Sequence, residues 1–242
     1  MPATDVGQLV WLLLSLLFMT ALAFLVWYVV AAPGSQVLGK SIVRGPRGSG
    51  PGGSRKIALT FDDGPGDATP AVLDMLRHAG IRATFFLCGQ NVERYPELAR
   101  RISEEGHEIG NHTYSHPRLL GRTPGKIAYE VERAQKIIAH RTGRTPTLFR
   151  PPYGLRWFGL FSILKRNGLT SVMWSVNSLD WKRPHTEIIQ RVIKDTGPGA
   201  IILFHDGIPP GKAGNRQATV EALRDILHAT MGRFKCVPVS EL

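Results

Sequence analysis

Cysteine is nearly missing from this 242-residue chain, which carries only Cys88 and Cys236. They stand far apart and show none of the close Cys/His spacing of a zinc finger or redox motif, so a disulfide scaffold is excluded and both are expected to be buried small hydrophobes. Acidic, Gln/Asn-rich and collagen-like tracts are also absent. No helix-like stretch carries a dense Lys/Arg stripe with interleaved aromatics, so nothing beyond bulk basicity points to nucleic acid, and none is expected as a partner. Charged residues make up only 20% against 43% hydrophobic, a globular rather than a disordered balance, and the length suits one domain with an appendage. Acids are the scarcer sign: 19 Asp+Glu face 30 Lys+Arg, a net charge of +11. That excess favours anionic partners without choosing among phospholipid, cell-wall polymer and nucleic acid. Residues 1–53 contribute +2 of it and the remainder +9, so the charge is not a tail.

Charge is wholly lacking over residues 9–32. About 20 helical residues cross a hydrocarbon core roughly 30 Å thick, so this run is long enough to span with some tilt. Trp11 near one end and Trp27 with Tyr28 near the other suit interfacial belts. A cleaved signal peptide is the alternative, but the run is long for an h-region and no Lys or Arg precedes it. Residues 1–8 then form a short flank. Residues 33–53 are rich in Gly, Pro and Ser without apolar periodicity and read as a flexible linker, with a domain boundary near Ser54. Lys40, Arg44, Arg47, Arg55 and Lys56 follow the anchor without an acid among them. They are either solvated linker charges or an adhesive for anionic headgroups. By the positive-inside rule they argue for a cytoplasmic domain, whereas a cell-wall substrate requires the extracytoplasmic side, to which the function leans.

Beyond the linker, apolar runs of strand length at 56–61, 83–87, 148–150, 170–174, 200–204 and 234–238 alternate with helix-like stretches at 70–79, 96–105, 123–140, 158–167, 186–195 and 217–231. Gly80, Gly106, Gly168 and Gly232 are placed to end helices. Such alternation predicts an α/β fold, a distorted or incomplete (β/α) barrel over 54–242 preceded by one transmembrane helix, with a doubly wound sheet as runner-up. Both architectures put chemistry at the carboxyl ends of strands.

Polar residues gather at those ends. Asp62 and Asp63 close the first strand before Gly64-Pro65, one carboxylate more than a turn needs. His112 and His116 stand four apart, which in a helical turn would put both on one face to grip a cation. With a strand-end carboxylate they would make a three-ligand site with open positions. Arg150-Pro151-Pro152-Tyr153-Gly154 is a stiff loop that can aim the Tyr153 amide, and His205 ends an apolar strand as a proton donor or acceptor.

In this order the segments resemble the five motifs of the polysaccharide deacetylase family, the NodB-homology carbohydrate esterases of family 4, over residues 54–242. They are Thr60-Phe61-Asp62-Asp63-Gly64, His112-Thr113-Tyr114-Ser115-His116, Arg150-Pro151-Pro152-Tyr153-Gly154, Asn177-Ser178-Leu179-Asp180-Trp181 with one change, and Leu203-Phe204-His205. The resemblance implies metal-dependent removal of N-acetyl, or sometimes O-acetyl, groups from amino-sugar glycans such as peptidoglycan or chitin-like oligomers. A lipid-linked amino sugar is the alternative substrate, and a non-catalytic membrane-tethered glycan-binding module the rival reading. It implies Asp62 as general base, Asp63, His112 and His116 as ligands of one divalent metal (zinc first, cobalt or nickel as alternatives), and the Tyr153 amide as oxyanion donor. Arg150 would orient Asp62, His205 would be the general acid, and Trp181 and Leu203 would wall the acyl pocket. Where the family commonly has an Asp to pair with that histidine, this chain has Asn177. An amide orients without adding negative charge, so a lowered His205 pKa and an acid-shifted optimum are expected.

Overall fold

The structure, a computed structural model, describes residues 3–46 and 55–242. The domain start at Ser54 and the linker residue Arg47 lie outside the described residues. Helix α1 (Ala3–Ala31) contains the uncharged run up to its last residue, and its apolar stretch Val6–Ala31 is long enough to cross a membrane. Exposed apolar side chains cover it from Val6 to Tyr28, and burial begins only at its last turn, where Val30 is covered.

In chain order the strands are β1 (Ser41–Ile42), β2 (Lys56–Gly64), β3 (Thr84–Leu87), β4 (Glu108–Asn111), β5 (Leu148–Phe149), β6 (Thr170–Val172), β7 (Val176–Asn177), β8 (Ile201–His205) and β9 (Lys235–Cys236). Helices α2 (Thr69–His78), α3 (Gly89–Arg94), α4 (Pro96–Glu104), α5 (Pro124–Thr142), α6 (Leu160–Arg166), α7 (His185–Asp195) and α8 (Gln217–Thr230) connect them. The sheet runs β1-β6-β5-β4-β3-β2-β8-β7 with every pairing parallel, and β9 adds to the start of β2. Two ends stay open, so this is a curled half-barrel, the incomplete barrel expected.

Strand β2 is buried along almost its whole length, as a parallel strand covered on both faces must be. Its side chains alternate between two cores. Ile57, Leu59 and Phe61 face the helices with Phe85, Phe204, Leu73 and Leu223, the Phe61 ring stacking on Phe85 and Phe204 at centroid separations of 5.0 and 5.7 Å. Ala58 lies on the inner face with Phe86, Val172 and Ile201, and by the same period Thr60 and Asp62 continue that inner column toward the carboxyl end. Helix α5 starts at Thr123, whose hydroxyl accepts from the Lys126 amide, and ends at Gly143 in left-handed backbone. The four glycines expected to end helices all have positive φ.

The linker reading fails over residues 33–46. Strand β1 pairs with β6, Arg44 bridges Ala200, the Gly45 amide donates to the Gly199 carbonyl at 2.8 Å, and Arg44 Nη1 donates to the Pro198 carbonyl at 3.0 Å. An open sheet edge offers unpaired backbone groups, and a chain of little periodicity satisfies them as well as any other. Lys56 is also engaged with the domain, its Nζ donating to the Glu241 carbonyl at 2.7 Å. Cys88 and Cys236 are both free thiols.

Candidate active site and metal centre

The cleft at the carboxyl ends of the strands has a volume of about 360 Å³ and brings together Asp62, Asp63, His112, His116, Tyr153, Asn177, Trp181, Leu203 and His205. Arg150 lies fully buried behind it. Neighbouring carboxylates in a straight strand would point apart, yet both reach this pocket. The β2/β3 register shifts between Asp62 and Gly64, and Asp63 takes a φ of 68°, which swings its side chain back beside that of Asp62. The irregular backbone is held from outside: Asn91 Nδ2 donates to the Asp63 carbonyl at 2.6 Å and to the Ile208 carbonyl at 2.9 Å. Gly207 packs so closely that a Cβ there would sit 2.2 Å from the Asp63 carbonyl oxygen.

The histidines come from a loop, not the helical turn expected, with Thr113 and His116 at φ of 69° and 56°. Its shape is set by Glu130 of α5, which accepts from the Tyr114 amide at 3.1 Å, the Ser115 amide at 2.8 Å and the Ser115 hydroxyl at 2.7 Å. Asn111 adds a side-chain bond from the Thr113 amide at 2.8 Å. His112 Nδ1 lies 2.7 Å from the Arg150 carbonyl, which only accepts, so this nitrogen carries the proton and the Nε2 lone pair faces the cleft. His112 Nε2 and His116 Nε2 lie 3.4 and 3.0 Å from Asp63 Oδ1. That oxygen is buried and has no hydrogen-bond partner. One carboxylate oxygen and two imidazole nitrogens within 4.8 Å of one another fit a divalent cation, with nitrogen and oxygen donors of the kind zinc takes. Burial would raise the Asp63 carboxyl, but His112 and His116 outweigh it and hold it well below the usual carboxylate range. Burial lowers His116, which favours the neutral ring a ligand needs.

Asp62 sits 3.8 Å from His112 Nε2 and receives Arg150 Nη1 at 2.7 Å. Arg150 also donates to Thr60 Oγ1 and the Met173 carbonyl, at 2.7 and 2.8 Å, with its guanidinium over the Phe86 ring, so it spans the inner face as a fixed strut. Tyr153 stands at φ 58°, its ring edge-on to His116. Trp181 meets the His205 ring at a centroid distance of 5.1 Å, while Leu203 is buried in the wall.

Asn177 does not orient His205. Its Oδ1 accepts from the Leu179 amide at 3.1 Å within its own loop, and Leu179 at φ 57° turns the chain so that Asp180 faces the histidine instead. Asp180 Oδ1 is 2.8 Å from His205 Nδ1, and its Oδ2 accepts from the His205 amide and the Thr219 hydroxyl, both at 2.8 Å. Burial alone would lower the His205 pKa, but the Asp180 charge overrides it and raises it to about 9, opposite to the lowering expected from Asn177. Asp180 stood in the same five-residue segment, but its direction depends on a backbone turn that sequence spacing does not reveal. The sequence reading also missed Glu130, Asn91 and Arg216. Arg216 lines the cleft with Nη2 3.6 Å from Asp63 Oδ2, tied by Nε to the Gly207 carbonyl at 2.7 Å.

An open parallel barrel with carboxylates, imidazoles and a paired histidine at its strand ends is the frame of a hydrolytic site that could hold a divalent cation. The chain belongs to the polysaccharide deacetylase family, which residues 49–178 match. It is 40% identical over 186 residues to a chitooligosaccharide deacetylase of Azorhizobium caulinodans, covering 73% of this chain and 89% of that one. It is 39% identical to a peptidoglycan-N-acetylglucosamine deacetylase of Bacillus cereus, covering 74% and 64%. A crystal structure of a peptidoglycan N-acetylglucosamine deacetylase in complex with 4-naphthalen-1-yl-N-oxidanyl-benzamide superposes with a TM-score of 0.76 at 34% identity, covering 83% of this chain and 91% of that one. The protein is therefore a hydrolase of the polysaccharide deacetylase type.

Proposed function

We propose that the protein removes N-acetyl groups from N-acetylglucosamine-containing glycans with the help of one divalent metal, zinc in the first place, while anchored in a membrane by α1. The observation that carries this reading is the Asp63–His112–His116 cluster facing Asp62 on one side and His205 on the other across a single cleft. When bound, the metal supplies Lewis-acid polarisation of the acetyl carbonyl and of the attacking water. Asp62, fixed by Arg150, takes the water proton as oxygen attacks the acetyl carbon. The Tyr153 amide donates to the developing oxyanion. His205, protonated through its pairing with Asp180, gives its proton to the leaving amine, and acetate and free amine result. The wall of Leu203 and Trp181 limits the acyl group to a small one, and the same chemistry serves an O-acetyl ester. Against a cleaved signal peptide stands the burial of Val30 and Ala32, which makes the end of the helix part of the folded domain.

The test is acetate release from N-acetylglucosamine oligomers and from peptidoglycan fragments by the purified full chain. Chelation should abolish release and zinc restore it, and Asp62→Asn should lower kcat by two orders of magnitude or more, as loss of a positioned base does. Glycan binding without metal-dependent acetate release would instead establish the non-catalytic module.

A further inference from the structure

The anchor is not tethered to the catalytic domain but clamped to it, at the loop that forms one wall of the cleft. Arg156 follows Gly154 by two residues and is buried, although among the described residues no carboxylate pairs with it. Its backbone amide donates to the Val30 carbonyl at 2.9 Å, Nη1 donates to the Ser35 carbonyl at 2.6 Å, and Nη2 donates to the Ala32 carbonyl. Val30 is one of the last helix carbonyls, which lack internal partners, and Ala32 and Ser35 follow the carboxyl end of α1, the end that favours a cation. Arg156 therefore caps the membrane helix from within the catalytic loop. Ser35 is buried, its hydroxyl reaching the Val29 carbonyl at 3.4 Å, and β1 then joins the sheet within a few residues.

A free linker over residues 33–53 would let the cleft roam roughly 70 Å from the bilayer. The clamp leaves no spacer. Two extended residues span about 7 Å, so the cleft wall at Gly154 lies within about 10 Å of Val30. Near the clamp the surface mixes exposed apolar side chains with the exposed Arg118 and Arg122, the former over the Tyr153 ring. Phe158 is 63% exposed and Leu120 46% exposed, and Leu119 packs in the same cluster as Trp157.

We infer that the cleft is held at the bilayer surface to act on an acetylated amino sugar joined to a lipid of the same membrane, within a sugar or two of the headgroup, rather than on distant polymer. This rests on reading α1 as an uncleaved span and the cleft as a deacetylase site. Substrate and enzyme confined to one surface meet at raised effective concentration, and a rigid clamp keeps that advantage only for sugars at its own height.

The experiment compares full-length protein in proteoliposomes acting on N-acetylchitobiose carried by a dialkylglycerol anchor and on the same disaccharide free in solution. A rigid spacer of three Glu-Ala-Ala-Ala-Lys repeats inserted between Trp27 and Tyr28 preserves every clamp contact and leaves Val6 to Trp27 to span. It raises the domain by about 22 Å. Native protein should release acetate from the anchored sugar about tenfold or more faster than from the free one, and the spacer should remove that preference without changing the rate on the free sugar. Equal native rates on both, or a preference that survives the spacer, would overturn the inference while leaving the deacetylase reading intact. No acetate from either substrate would overturn the deacetylase reading itself, and this inference with it.

Discussion

Replacing Asp180 by Asn tests how the fold tunes its proton donor. The His205 pKa is raised to about 9 from an ordinary 6.5, and Asp180 is the main cause opposing burial, with Asp63 and Asp62 adding to it. A cation in the Asp63 cluster would cancel the share of those two carboxylates, leaving Asp180 as the chief support of the imidazolium. The gap corresponds to about 3 kcal/mol of preference for the charged ring. Asn at position 180 keeps an acceptor for the His205 amide but carries no charge, so burial then dominates and the pKa falls to 6.5 or below. A general acid acts in its protonated form, so the alkaline limb of kcat should move toward acid by roughly two pH values. With about 9 as the upper bound for the native value, the loss of protonated acid at pH 8 is at most about thirtyfold, with little loss at pH 5.5. The assay is a pH–rate profile of acetate release. Asn177→Asp serves as the control, because Asn177 bonds within its own loop and its change should leave the limb in place. An active Asp180→Asn enzyme with an unmoved alkaline limb would refute both the assignment of His205 as the acid and the reasoning about its charge.

Arg150→Met should lower stability by about 3–5 kcal/mol in urea unfolding, because it strands the buried Asp62 carboxylate and removes the hydrogen bonds to Thr60 and the Met173 carbonyl. Arg150→Lys keeps the charge but lacks the planar fork, so it should fold better than Met while remaining well below native activity. Glu130→Ala removes the carboxylate that accepts three hydrogen bonds from the histidine loop, and zinc titration should show affinity weakened by about 10- to 100-fold. Unchanged affinity would mean that the Asn111 and Thr113 side-chain bonds hold the loop without Glu130.

Much of the barrel was legible because parallel strands buried on both faces read as short apolar runs. The run at 200–204 is β8 shifted by a residue, and the helix expected at 217–231 is α8 nearly to its ends. Strands β1, β4 and β7 were not legible. Each is two to four residues long, and β4 contains Gly110, where the Phe86 ring leaves no room for a side chain and a Cβ would sit 2.3 Å from it. Such segments become strands because a neighbour's edge needs partners, a fact of the tertiary structure with no local signature.

Residue chemistry alone determined that carboxylates, imidazoles and an arginine would stand at strand ends, because alternating strands and helices put those ends on one face of the sheet. It also determined that residues 9–32 were apolar enough to cross a membrane. Direction was decided only by the folded chain. A bulge at Asp63 turned two neighbouring carboxylates the same way, and a left-handed Leu179 gave His205 to Asp180 rather than Asn177. A buried Arg156, read as nothing from its sequence neighbours, turned a flexible linker into a clamp. The physical reason is the same in each case. Sequence spacing records which groups are near in the chain, while a backbone dihedral or a long-range hydrogen bond decides which of them face one another.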